Sequence, residues 1–203
     1  VITVVDHDFG NIGSVLRALK HVGIEHLLTR DLREIEKAEK LILPGVGSFG
    51  AAARGFLTKD FRSLIRYRVL ERDIPVFGFC LGMQLLAEYG EEMGPSEGLG
   101  LVKGGVYKLK VDPVKHVVPH MGWNDVRQNG LKMFKDVSDG ACFYFVHSYE
   151  YIASDTTVET ATVSYGEHEI CAALAKGHIW GAQFHPEKSQ NAGLQLIRNF
   201  ERL

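Results

Sequence analysis

Apolar positions in the first part of the chain follow two alternating rhythms. Val1-Ile2-Thr3-Val4-Val5 is an almost unbroken apolar run and reads as a buried strand. After a turn at His7-Asp8-Phe9-Gly10-Asn11, the residues Ile12, Val15, Leu16 and Leu19 recur at helical spacing until Gly23 stops the helix. Residues 24–29 read as a second strand, and Asp31 and Glu34 have the spacing of a capping box that opens a short helix through Ala38. Leu41-Ile42-Leu43 is a third strand, and Ile74-Pro75-Val76-Phe77 is a further buried run followed by Met83, Leu85, Leu86 and Ala87 as the opening of a helix. Such alternation predicts an α/β fold with a parallel sheet and helices on both faces. Ligands of such sheets bind beyond the carboxyl ends of the strands.

After about residue 98 the texture changes. Residues 102–109 and 117–126 read as antiparallel strands, with Gly104-Gly105 as a bend or bulge. Residues 143–151 and 158–164 are further strands, and Tyr165-Gly166-Glu167 is a turn. Residues 169–175 pair with 178–184 across Lys176-Gly177. A last helix carries Leu196, Ile197, Phe200 and Leu203 on one side. No repeat, linker or low-complexity stretch divides the 203 residues, so a single domain over 1–203 is expected.

Composition narrows the function classes more than the fold. The chain is 45% hydrophobic and 24% charged, ordinary values for a water-soluble globular protein. A net charge of −2 without a run of like charges implies neither a nucleic acid nor a membrane surface as partner. The apolar start is too short for a signal peptide, and nothing approaches the roughly 20 apolar residues of a membrane span. Three widely spaced cysteines form neither a disulfide framework nor a zinc pattern, which places the chain in a reducing, cytoplasmic compartment with no metal or cofactor expected.

Candidate chemistry concentrates at Gly78-Phe79-Cys80-Leu81-Gly82-Met83-Gln84, between a strand and a helix. Glycines on both sides let the backbone turn tightly and lift the Cys80 thiol out at the sheet edge. There it sits over a helix N-terminus, whose partial positive charge favours thiolate, with the Leu81 N–H aimed at an oxyanion. The plainer alternative is a small buried hydrophobe. About a hundred residues on, a strand-like run ends in His185-Pro186-Glu187. In extended chain residues i and i+2 point the same way, so the Glu187 carboxylate can orient the His185 ring. Cys80, His185 and Glu187 then supply nucleophile, general base and orienter.

These residues resemble the class I glutamine amidotransferases. Leu43-Pro44-Gly45-Val46-Gly47 is similar to that family's oxyanion loop. Pro119-His120-Met121-Gly122-Trp123-Asn124, together with Phe143, Val146, His147, Ser148 and Tyr149, resembles one branch of it, the glutaminase subunits of imidazole glycerol phosphate synthase. The resemblance implies a flavodoxin-like α/β fold: a central, mostly parallel sheet with flanking helices and a second, antiparallel β region. It implies hydrolysis of glutamine to glutamate and ammonia, with the oxyanion held by Leu81 N–H and by an N–H from Val46 or Gly47. It also places Gln84, Glu92, His147, Ser148 and Tyr149 around the glutamine. The partner it implies is a (βα)8-barrel cyclase, with Asn11, Trp123 and Lys188 at the interface. Nothing in 203 residues is left over for a synthase domain, which leads to the same expectation. Read without the resemblance, Pro44–Gly47 is an ordinary strand-to-helix turn, the residues 84 and 147–149 are core or strand positions, and Trp123 is either core or an interface anchor.

Three places depart from that family's usual pattern: Phe79 before the cysteine, His7-Asp8-Phe9 before Gly10-Asn11, and Glu150 after Tyr149. They leave the acceptor open, the alternative being an ammonia donor to a sugar-nucleotide amidotransferase of surface-polysaccharide synthesis. The elbow keeps a different class open. It resembles those of stand-alone cysteine hydrolases, which would turn over glutamine without any partner, and of non-catalytic relatives that act as binding modules. Cys80, His185 and Glu187 together argue against the latter.

Overall fold

In the computed structural model, which describes residues 1–7, 10–112, 114 and 116–203, strands and helices alternate through the first half. They are β1 (Ile2–Val5), α1 (Ile12–His21), β2 (His26–Thr29), α2 (Leu32–Lys37), β3 (Leu41–Leu43), α3 (Phe49–Gly55), α4 (Lys59–Arg66), β4 (Val76–Phe79) and α5 (Leu81–Leu85). The turn expected at residues 7–11 includes Asp8 and Phe9, which lie outside the described residues. The second half is mainly strand: β5 (Tyr89–Gly90), β6 (Ser96–Glu97), β7 (Gly104–Lys108), β8 (His120–Arg127), β9 (Cys142–His147), β10 (Tyr149–Ala153), β11 (Glu159–Tyr165), β12 (His168–Lys176) and β13 (Ile179–Ala182), closed by α6 (Gln190–Glu201).

The frame is a nine-stranded sheet in the order β2-β1-β3-β4-β13-β12-β11-β8-β9. From β2 to β13 neighbours run parallel, and from β13 to β9 they run antiparallel. β1, β3, β4 and β13 are buried at every residue. A strand covered on both faces must be apolar throughout, which is why these segments read as runs and not as alternations. Successive side chains still go to opposite layers. Ile2, Val4, Ile42 and Phe77 pack with Val15 and Leu19 of α1 and Leu196 and Phe200 of α6. Val5, Leu41, Leu43 and Val76 pack with Ile35 of α2, Phe49 of α3 and Phe61 of α4. Among the described residues no helix is long and apolar enough to cross a membrane.

Three local expectations are corrected. Residues 143–151 are not one strand: the chain breaks at Ser148, so β9 ends the large sheet while β10 enters a second sheet, β10-β7-β5-β6. Gly104-Gly105 is no bulge, because β7 pairs with β10 in unbroken register. The glycines serve close approach instead: a Cβ at Gly104 would lie 2.3 Å from the Ile152 carbonyl oxygen. At the start of α2 half of the capping box forms. Asp31 accepts from Arg33 N–H at 2.9 Å, but Glu34 pairs with Lys37, and the Asp31 N–H goes to Thr29 Oγ1.

Candidate active site

β4 and β13 are parallel neighbours with Phe79 opposite Ala182, so their chains leave the sheet side by side. The Cys80 N–H continues the ladder onto Ala182 O at 2.7 Å. This register brings Cys80, just past β4, to the same edge as His185, just past β13. The loop after β3 carries Pro44 to Gly47 to that edge as well. His7, after β1, bonds through Nε2 to the Pro44 carbonyl and so braces the loop.

The bend at Cys80 has a different origin from the one expected. Cys80 itself takes φ 49°, ψ −106°, a conformation that strains any residue with a side chain. The flanking glycines provide room. A Cβ at Gly82 would fall 1.8 Å from the Leu43 carbonyl oxygen, and one at Gly78 would fall 2.5 Å from the Gly82 carbonyl. α5 is thus pressed onto β3 and β4 at van der Waals limits, and the strain is concentrated on the one residue that carries the sulfur. Leu81 is the first residue of α5, whose first helical bond is Gln84 N–H to Cys80 O at 3.2 Å, so Leu81 N–H lies at the free end of the helix.

His185 is 1% exposed, and its Nδ1 lies 2.8 Å from Glu187 Oε1. The carboxylate reaches it across a tight turn, Pro186–Lys188, and not along extended chain as the i, i+2 argument supposed. The His185 backbone is clamped from both sides: its N–H donates to Tyr144 O at 2.9 Å, and its carbonyl accepts from Ser189 Oγ at 2.7 Å. Among the described residues the outer nitrogen, Nε2, and Glu187 Oε2 are buried without a complete hydrogen bond. Burial alone would disfavour an imidazolium here. Interaction with the Cys80 side chain and with Glu187 outweighs it and pushes the ring's pKa up to about 10.

Cys80 and His185 line one cavity of about 250 Å³, together with Val46, Gly47, Gln84, Glu92, His147, Ser148 and Tyr149. That is a volume for a ligand of amino-acid size, below the range typical of larger small molecules. Gly47 sits at φ 108°, a conformation open to glycine and rarely to other residues. Gln84 is buried and donates from Nε2 to Tyr149 O at 3.1 Å. His147 is buried, with Nδ1 2.8 Å from the same carbonyl. Glu92 accepts from Phe49 N–H at 2.7 Å and thereby caps α3; burial raises its pKa, and the Phe49 bond opposes that rise.

The three residues expected at a partner surface lie near one another to differing degrees. Trp123, 48% exposed on β8, has its ring 5.9 Å from that of Tyr144, and Lys188 Nζ lies 5.8 Å from the Tyr144 ring centre. Asn11 is exposed at the start of α1, which packs against the turn carrying Lys188. Tyr144 therefore joins Trp123 and Lys188, and it went unnoticed because it reads as one more strand residue. Two further buried residues, His120 and Gln183, were not among the expected site residues, and each contacts a cavity residue. His120 entered only as part of the motif that carries the resemblance, and Gln183 reads as one more residue of the strand-like run.

A family model described as glutamine amidotransferase class-I matches residues 3–202. The chain is 40% identical over 204 residues to a Campylobacter jejuni (strain RM1221) protein named imidazole glycerol phosphate synthase subunit HisH 1, covering 100% of each chain. It is 43% identical over 202 residues to the imidazole glycerol phosphate synthase subunit HisH of Rhodopirellula baltica, covering 98% of this chain and 96% of that one. Among solved structures, one described as a glutamine amidotransferase superposes with a TM-score of 0.77 at 21% identity, covering 100% of this chain and 98% of the other. PurLQS from Thermotoga maritima superposes at 0.71 and 18% identity, covering 99% and 97%. At such identities these structures speak to the fold alone. By the extent and identity of the sequence matches, the chain belongs to the class-I glutamine amidotransferases, in their branch of imidazole glycerol phosphate synthase HisH subunits.

Proposed function

We propose that this chain, acting as one glutaminase domain, hydrolyses glutamine and hands the ammonia to a cyclase partner of the (βα)8-barrel kind. The pair would form a heterodimer working in the cytoplasm and making imidazole glycerol phosphate for histidine biosynthesis. The observation that carries this reading is the convergence of a strained cysteine and a carboxylate-oriented histidine in one amino-acid-sized cavity.

In the mechanism, His185 Nε2 takes the Cys80 proton and the sulfur attacks the side-chain amide carbon of glutamine. The oxyanion lies between Leu81 N–H and an N–H of Val46 or Gly47. The imidazolium, held by Glu187, then protonates the departing nitrogen; the C–N bond breaks and a thioester remains. Water, activated by the same ring, releases glutamate and restores the thiol. Gln84, Glu92, His147, Ser148 and Tyr149 position the substrate.

Ammonia set free in water would be protonated and lost as a nucleophile, so a direct hand-over is needed. Exposed apolar side chains favour a partner over a stand-alone hydrolase: Met121 is 62% and Trp123 48% exposed on the same face of β8, with Val117 75% exposed just before it. The test is glutamate production by the purified chain, alone and with the cyclase and its nucleotide ligand. Weak basal turnover that rises with both supports the reading. Full turnover without any partner would return it to the stand-alone hydrolase.

A further inference from the structure

Gln183, the residue after β13, is completely buried and lies against the sulfur of Cys80. Its orientation follows from a chain of three amide contacts. Gln84 Nε2 faces Tyr149 O at 3.1 Å and Gln183 Oε1 at 3.0 Å. A backbone carbonyl can only accept, so the Gln84 atom facing it is the amide nitrogen, and the Gln183 atom on its other side is the oxygen. The remaining atom of Gln183, its Nε2, is then the one 3.7 Å from Cys80 Sγ, a hydrogen-bond distance for sulfur.

The sulfur has a second polar neighbour with the opposite preference. Val146 O lies 3.8 Å away and can receive a thiol proton, but it repels a thiolate. Between these two neighbours, the Gln183 N–H favours the charged form.

We propose that Gln183 is a catalytic residue of this site, its side-chain N–H holding the Cys80 sulfur whenever that atom carries negative charge; the proposal rests on Cys80 being the nucleophile. When the thiol proton passes to His185, the N–H meets the anion. Attack forms the C–S bond and spends the charge, and the hydrogen bond slackens. When water opens the thioester, the C–S bond breaks, the electron pair returns to sulfur, and the same N–H receives it before His185 gives the proton back. Thiolate formation and thioester breakdown are therefore the steps it serves.

Other groups facing the sulfur act on the same titration. They are His185, with Glu187 behind it, from the turn after β13; His147 at the end of β9; and Glu92 and Tyr149 across the cavity. Burial holds His147 neutral, with its pKa down at about 3. No Lys or Arg lines the cavity among the described residues.

The test follows Cys80 alkylation by iodoacetamide against pH, read on the Cys80 peptide by mass spectrometry, in the wild type, Gln183→Leu and Gln183→Glu. Gln183→Glu keeps the size of the side chain and an acceptor for Gln84 while removing the donor. The midpoint should rise by about one pH unit in Gln183→Leu, and further in Gln183→Glu, where a carboxylate stands beside the sulfur. With the cyclase present, glutaminase kcat should fall about tenfold or more while KM stays within about threefold. An unchanged midpoint and kcat in either folded variant would overturn the proposal. Cys80→Ala separates the two failures. If that variant is inactive while the Gln183 variants are normal, this inference alone falls; if it retains turnover, the nucleophile reading falls with it.

Discussion

His120 Nδ1 lies 2.9 Å from His147 Nε2, and both rings are buried. The proton order along this contact is determined at one end. His147 Nδ1 faces the Tyr149 carbonyl at 2.8 Å and must carry its hydrogen there, so its Nε2 is the acceptor and His120 Nδ1 the donor. His120 Nε2 is then left to accept from Asn124 Nδ2 at 3.4 Å, the same amide that donates to Ser164 O at 3.0 Å. A chain of neutral side chains thus runs from the cavity wall through β8 to β11. It sets the Tyr149 carbonyl, which also anchors Gln84.

That proton order makes the fold sensitive to acid. Burial holds the pKa of His120 down at about 4 and that of His147 at about 3, below the value of about 6.5 that both rings take in the unfolded chain. Between these values the unfolded chain binds protons that the folded one refuses. The contribution of the neutral pair is complete above pH about 6.5 and falls with pH, by up to about 1.4 kcal/mol per unit for each ring, until the folded values are reached. Urea unfolding between pH 7 and 4.5 should therefore show a shallower decline for His120→Asn than for the wild type. Parallel declines would rule out the pair as the source.

Glu187 and His185 should be unequal in effect. Oε1 of Glu187 bonds the ring, while Oε2 has no hydrogen-bond partner among the described residues. Glu187→Gln can keep the accepting oxygen and lose only the charge, so kcat should fall about tenfold and the alkaline limb of kcat/KM should move down from about 10, as one of the interactions that stabilise the imidazolium is removed. His185→Ala removes the proposed base and should cost on the order of a thousandfold or more. Steady-state kinetics against pH checks both, and equal losses would count against the orienting role.

Cys80 should reverse an ordinary ranking. In regular structure, Gly is less stable than Ala by about 0.5–1 kcal/mol. At φ 49°, ψ −106° the cost lies with Ala, so Cys80→Gly should be the more stable variant by about 1 kcal/mol. Thermal melts of the two variants decide it; Ala above Gly would mean that the strain is not there.

Gly82 admits no side chain. A Cβ there would meet the Leu43 carbonyl oxygen at 1.8 Å, so Gly82→Ala must push α5 off β3, and a loss of about 3 kcal/mol or more is expected. A glycine without such a neighbour, Gly94, has nothing among the described residues within 4 Å of where its Cβ would stand, yet its φ of 92° still penalises alanine, by a smaller amount. Comparing the two melting temperatures separates a steric clash from conformational strain.

How much of this was legible depends on the range of the interactions. The βα alternation and the cysteine between glycines are local patterns, set by which side chains can be buried and by how tightly a helix follows a strand. They could be read in order along residues 1–85. The break at Ser148 could not, because β9 and β10 are equally strand-like. What parts them is that each finds a different sheet, one at β8 and the other at β7. The placing of strain on Cys80, and not on its glycines, was likewise decided by the approach of α5 to Leu43.

From residue types and spacing alone came the elbow, the His185–Glu187 pair and the layered α/β plan; the loop at Pro44 came from the family resemblance. Short-range sterics and hydrophobic periodicity are written in adjacent residues. Tertiary structure alone decided that Phe79 pairs with Ala182, which sets Cys80 beside His185 and Gln183 from about a hundred residues away. It also decided that two histidines share one proton order, and that Tyr144 joins Trp123 to Lys188. Sheet register and the burial of polar groups depend on the whole packed molecule, because a strand's partner, and the dielectric around a ring, exist only once distant segments have met.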